Sequence, residues 1–222
     1  MGLMKTVGLM KTEELIDTLA RDLAGSTTHP APPLSLRLLG ATVLASLPSL
    51  FIIVFVLARS PHLAHGLTAT IDYTVASALA LAMVAFGMTM TLSRPEATAP
   101  RAWLLLPAVI LAAGIGMELV QAPQDTWATR FWGNSPLACF VCVLLLSLPI
   151  LVGVLVALRH GAPTRPRTMG AMAGLLAGGV AAALYTLHCP EGSLLFIAAW
   201  HVPAILLVSL LGAAIATRLL AW

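Results

Sequence analysis

Three cysteines and the ionisable side chains near them are the residues of this chain whose types and spacing could do chemistry. Cys139 and Cys142 stand in Cys139-Phe140-Val141-Cys142, and a spacing of three places both thiols on one face of a helix. Cys189 lies in His188-Cys189-Pro190-Glu191, and His201 in Trp200-His201-Val202-Pro203. In an oxidising compartment Cys189 can pair with Cys139 or Cys142 as a disulfide. As thiolates, with His188, His201 or Glu191 nearby, the same residues can hold a soft metal ion. The plainer reading of each cysteine is a small apolar filler. The Cys-x-x-Cys spacing discriminates little, because it sits in an apolar run rather than a strand–helix redox context. His201 lies well inside another apolar run. Such a residue is either a functional group or a neutral imidazole bonded to a neighbouring helix.

The elements that must position these residues follow from composition. Of 222 residues, 59% are hydrophobic and only 9% are charged, with a mean hydropathy of +0.95. A soluble domain is about 25% charged. This chain has too little polar surface to cover a water-soluble fold, which sets aside soluble, nucleic-acid-binding and disordered classes for most of its length. An all-α membrane protein remains, since a spanning helix needs about 20 mostly apolar residues. Six uncharged runs meet that need: Leu38–Ala58, Tyr73–Ser93, Ala102 to about Val120, Phe131–Leu158 with its helix starting near Pro136, Thr168–Leu187 and Gly192–Thr217. None alternates like a barrel strand. The fifth run carries Gly170, Gly174, Gly178 and Gly179, a spacing of small residues that suits close helix packing. Counted from Gly192, His201 falls roughly 12–15 Å below the start of its helix.

With the N-terminus placed in the cytoplasm, ten of the 12 Lys and Arg residues fall on the inner side, and only Arg59 and Arg130 fall outside. That bias orients the chain with both termini inside. Cys139 and Cys189 then share the extracytoplasmic level. Asp72 and Glu118 sit near outer helix ends and read as boundary residues that reach the headgroups. Trp103, Trp127, Trp132 and Trp222 suit interfacial belts. No cleavable signal peptide is expected.

Residues 1–35 form a separate cytoplasmic segment and linker, and residues 36–222 the six-helix domain. Within the first, Gly2-Leu3-Met4-Lys5-Thr6 recurs as Gly8-Leu9-Met10-Lys11-Thr12, read as a misplaced start or a small duplication. Thr12–Leu23 reads as a short amphipathic helix. Thr12 can cap it, with Glu13 and Glu14 in the first turn. Leu15, Ile16, Leu19 and Leu23 fall on one face. Its polar face is net acidic, whereas helices that lie on membranes favour Lys and Arg. An acidic amphipathic helix on a Gly/Pro/Ser/Thr tether suits capture by a basic protein groove, or packing beneath its own bundle.

No hydrolase, metalloprotease or phosphate-loop signature is present, so no enzymatic activity is expected. A transporter would show paired broken helices and deep intramembrane charge. Pro48, Pro107, Pro149 and Pro203 can kink helices, but the deep charges are lacking. A small transporter or metal carrier using Cys139, Cys189 and His201 is the alternative function.

Three segments carry a resemblance. They are Met10-Lys11-Thr12-Glu13-Glu14-Leu15-Ile16-Asp17-Thr18-Leu19 with Asp22-Leu23, Trp132-Gly133-Asn134-Ser135-Pro136-Leu137-Ala138-Cys139, and His188-Cys189-Pro190-Glu191-Gly192-Ser193-Leu194-Leu195-Phe196 followed by Trp200-His201. Together they resemble the NrsF family, negative regulators of sigma F: six-helix inner-membrane anti-sigma factors of Gram-negative bacteria. The resemblance covers nearly the whole chain. It implies that the N-terminal segment, through Glu13, Glu14, Leu15, Ile16, Leu19 and Leu23, holds an extracytoplasmic-function sigma factor away from RNA polymerase. It implies that a cysteine pair linked to oxidant or heavy-metal sensing maps onto Cys139 and Cys189. Cys142 and the doubled Gly-Leu-Met-Lys-Thr stand outside the family's pattern. No resident cofactor is expected beyond transient soft-metal binding, for which His188 and His201 are further donors, and no direct nucleic-acid contact is expected.

Overall fold

The computed structural model describes residues 12–25, 33–56, 69–93, 101–159, 165–186, 188, 189, 191 and 193–219. The chain divides into two units, Met1–Pro33 and Leu34–Trp222. The first holds helix α1, Thr12–Gly25, with Glu13 and Glu14 in its first turn, where the helix dipole favours anions. The Thr18 hydroxyl donates to the Glu14 carbonyl one turn back. Leu15 and Ile16 are exposed. The helix includes Leu19 and Leu23, whose side chains lie outside the described set, as does the repeated Gly-Leu-Met-Lys-Thr apart from Thr12.

The second unit is a helical bundle with no strand among its described residues. Its helices are α2 (Leu34–Phe51), α3 (Ala69–Leu92), α4 (Leu105–Gln121), the short α5 (Trp127–Trp132), α6 (Pro136–Leu158), α7 (Pro166–Thr186) and α8 (Leu194–Leu219). Six of these, all but α5, are long and apolar enough to cross a membrane. A 3-10 turn, Arg101–Leu104, leads into α4 and a π-helical turn, Ile52–Val56, extends α2. The π turn begins four residues after Pro48, whose ring removes one helical hydrogen bond and disturbs the ladder just there. Many large apolar side chains point outward, among them Leu44, Met83, Val120 and Leu137. An apolar coat this extensive matches hydrocarbon rather than water.

Helix α7 is the most enclosed of the six and α4 the least. α7 packs against α8, α3 and α6; α2 leans on α6, and α4 on α3. The glycines of α7 explain its position. A Cβ added at Gly170, Gly174 or Gly178 would run into Gly212, Ser209 or Ile205 of α8, and one at Gly179 would press on Ala78 and Ala82 of α3. Three glycines at four-residue spacing thus let the α8 backbone come close, and the fourth does the same for α3. Hydroxyls lock the contacts: Ser209 Oγ donates to the Ala171 carbonyl at 3.0 Å, and Ser49 Oγ donates to the Leu146 carbonyl at 2.7 Å. Where apolar burial gives little drive between helices, such contacts and tight packing hold a bundle.

Candidate functional site

Cys139 lies in the first turn of α6, which opens on Pro136, a residue suited to the first helical position because its missing N–H would be unpaired there anyway. The Cys139 N–H donates to the Ser135 carbonyl at 3.1 Å. Cys189 arrives from the other side. α7 stops at Thr186, and the N–H groups of both His188 and Cys189 donate to the Tyr185 carbonyl at 2.9 Å. Two bonds onto one carbonyl turn the chain sharply and fold Cys189 back into the bundle.

The result is a buried pair, with Cys139 Sγ and Cys189 Sγ 3.8 Å apart and all three thiols free. The Tyr185 hydroxyl donates to Cys139 Sγ at 3.4 Å. His201 completes the group: one donor atom from each of Cys139, Cys189 and His201 lies within 4.8 Å of the others. Its imidazole is 1% exposed, packs edge-on to Tyr185 with centroids 5.7 Å apart, and neither ring nitrogen has a hydrogen-bond partner among the described residues. The Cys189 thiol is pushed well above the usual thiol range, first by its hydrogen bond with the Cys139 sulfur and then by burial. It is therefore a proton-bearing thiol at neutral pH.

Not every expected residue joins. Cys142 is half-buried and is not one of the three clustered donors. His188 is half-buried against the Tyr185 ring at 5.7 Å and is not one of the three clustered donors. Glu191 supplies no donor to the cluster either; its carboxylate accepts the Asn134 N–H at 2.8 Å. His201 is shallower than the sequence suggested. α8 starts at Leu194 rather than Gly192, so the imidazole is about 10 Å into the helix, level with the thiols.

Glu118 is a correction. Its carboxylate does not reach outward but turns to the N-terminus of α8. Ser193 Oγ donates to Oε1 at 2.7 Å, the Leu194 N–H to Oε2 at 2.6 Å, and the Leu195 N–H to Oε2 at 3.3 Å. Arg130 Nη1 pairs with Oε1 at 3.1 Å from α5. A helix N-terminus offers unpaired N–H groups and a positive dipole end, and this carboxylate satisfies both. α5 is held over the same end of the bundle by Trp200 Nε1 donating to the Phe131 carbonyl at 3.1 Å. At Gly133 φ is +56°, a region open to glycine, and an added Cβ would strike the buried Phe196 ring.

Known sequences decide the family. The family described as "Negative regulator of sigma F" (NrsF) matches residues 19–222. The chain belongs to the NrsF family. It is 35% identical over 217 residues, 96% of this chain and 100% of the relative, to the anti-sigma-F factor NrsF of Caulobacter vibrioides (strain NA1000 / CB15N). It is 32% identical, with the same coverage of both chains, to the probable anti-sigma-F factor NrsF of Azospira oryzae (strain ATCC BAA-33 / DSM 13638 / PS). No solved structure matches the chain.

In this NrsF chain the thiol pair can do two things. Two thiolates bound to one ion at about 2.3 Å each, at a tetrahedral angle, stand roughly 3.8 Å apart. The observed sulfurs already have that separation, and His201 offers a third, nitrogen ligand. A disulfide requires about 2.05 Å, so oxidation must draw the two sulfurs together. Tyr185 is the member that sequence reasoning missed. Its signal was its position one helical turn before Cys189, where a polar ring in an apolar helix needs a partner.

Proposed function

We propose that this NrsF chain is a membrane-embedded anti-sigma factor of the bacterial inner membrane, with both termini in the cytoplasm. It sequesters an extracytoplasmic-function sigma factor through α1 and releases it when oxidants or heavy metals reach Cys139 and Cys189. The role is regulatory, not catalytic. Membership of a family whose relatives are named anti-sigma-F factors supports the sigma-factor partner. The observation that carries the sensing role is the 3.8 Å approach of two thiols that are 50 residues apart in sequence. The ten inner basic residues support the orientation.

α1 supplies the effector. Leu15 and Ile16 are exposed, as a helix that waits for a partner requires, and Glu13, Glu14 and Asp17 favour a basic groove. At the sensor, a disulfide removes two protons and two electrons from the thiols, both taken up by the oxidant. A soft metal instead displaces the two thiol protons and binds the sulfurs, with His201 as further donor. Either event ties α6 to the turn between α7 and α8.

The anchors of α1 test this directly. Leu15→Ala combined with Leu19→Ala should release the sigma factor and switch on its target genes without stress, since an interface hot spot is worth about 2 kcal/mol or more. Undiminished co-purification of the sigma factor with the double variant contradicts the assignment. A transporter or metal carrier, by contrast, would keep its activity after deletion of α1.

A further inference from the structure

A cavity of about 210 Å³ lies between α3, α4, α7 and α8, with His201 in its wall. Its wall is formed chiefly by apolar side chains such as Leu111 and Leu175, with Thr74, Ser77 and His201 as its polar members. Exposed Ala108 and Leu206 stand at its rim, so it communicates with the surroundings of the apolar bundle. An apolar cavity of about 150 Å³ holds a benzene ring; this one has room for a ring with a substituent. The polar inventory is specific. Ser77 Oγ donates to the Thr74 carbonyl at 3.0 Å and keeps its lone pairs. His201 is 1% exposed, and both of its ring nitrogens are without a hydrogen-bond partner among the described residues. A buried polar group left unpaired is destabilising by about 1–3 kcal/mol, so an unpartnered imidazole in a cavity wall calls for an occupant. A neutral imidazole has one donor nitrogen and one acceptor nitrogen that point in different directions, so a single ligand oxygen engages one of them.

We propose that this cavity binds a single-ring apolar molecule carrying one hydroxyl, of the phenol class, taken up from the bilayer, with His201 as its hydrogen-bonding anchor. The ring fills the space between α3, α4 and α8, and the oxygen meets the imidazole. The assignment shares His201 with the thiol cluster, and it rests on the cavity and on ring nitrogens that have no hydrogen-bond partner among the described residues.

The test uses the full chain in lipid nanodiscs and two fluorine probes, 4-fluorophenol and fluorobenzene, followed by saturation-transfer ¹⁹F NMR. The wild type should bind 4-fluorophenol saturably and about fivefold to tenfold more tightly than fluorobenzene, the worth of one hydrogen bond in an apolar site. Ala108→Phe, which plugs the rim, should abolish binding of both probes. His201→Phe should erase the preference between them while leaving fluorobenzene bound. Val109→Phe, at an exposed neighbour that does not line the cavity, should change neither. A signal that survives Ala108→Phe marks mere partition into lipid and overturns the proposal. So does a wild type that does not prefer the phenol, or a loss in Val109→Phe equal to that in Ala108→Phe.

Discussion

At Cys189 the sulfur is held between a neighbouring sulfur and a low-polarity interior, and both raise its pKa. The sign is definite: the thiolate fraction of Cys189 stays small where an ordinary thiol, near pKa 8.5, is already half ionised. Alkylation of Cys189 in the intact chain, read peptide by peptide, should therefore keep rising about tenfold per pH unit past about pH 9. A plateau near pH 8.5 contradicts the raised pKa. Binding of both sulfurs by one soft metal ion would offset the release of their protons. Cys139, Cys189 and His201 were legible as chemistry in the sequence, and the family resemblance implied the cysteine pair; the geometry of the group was not legible. It depends on the sharp turn at the Tyr185 carbonyl and on α8 starting at Leu194, and residue types encode neither. Tyr185 escaped notice because an aromatic residue in an apolar run reads as packing until its hydroxyl is seen on Cys139 Sγ.

Uncharged runs located all six long helices, because charge is what a spanning segment must exclude. Their ends were less legible. α2 starts at Leu34, includes Arg37 and so begins before its uncharged run; α8 likewise passes through Arg218. A terminal arginine ends a hydropathic run without ending a helix, since its head can reach the interface. α5, at six residues, is too short for any periodicity to show. The α8 start is set by Glu118, whose side chain is 10% exposed and receives bonds from Ser193, Leu194, Leu195 and Arg130. Glu118→Ala should lower the thermal stability of the purified chain by about 2 kcal/mol, the size of a lost cap with its buried donors left unpaired. Arg130→Ala should change it by less than about 1 kcal/mol, because Arg130 is 39% exposed and water replaces its partner. Thermal unfolding in detergent gives both values. A larger loss at Arg130 than at Glu118 would mean that the ion pair, not the helix cap, holds this end together.

For the molecule as a whole, the site occupies the junction of α6, α7 and α8, and α7 is the most enclosed helix, packed against α8, α3 and α6. A tie between α6 and the turn after α7 acts on that junction, where glycine-mediated contacts leave little slack. A signal can move the bundle only by its differential affinity for two packings, and a swing from 1:99 to 99:1 takes about 5.5 kcal/mol. Ligation by two thiolates and an imidazole is of that order or above, whereas one hydrogen bond, at about 1 kcal/mol net, is not. Cys139 and Cys189 must then work as one unit, so losing either should equal losing both. The most direct measurement is the amount of sigma factor co-purifying with the chain from cells before and after cadmium exposure, for the wild type, Cys139→Ser, Cys189→Ser and the double variant. The account predicts that cadmium strips the sigma factor from the wild type, while all three variants retain it before and after, each to the same degree. A double variant that releases the sigma factor as fully as the wild type would contradict it.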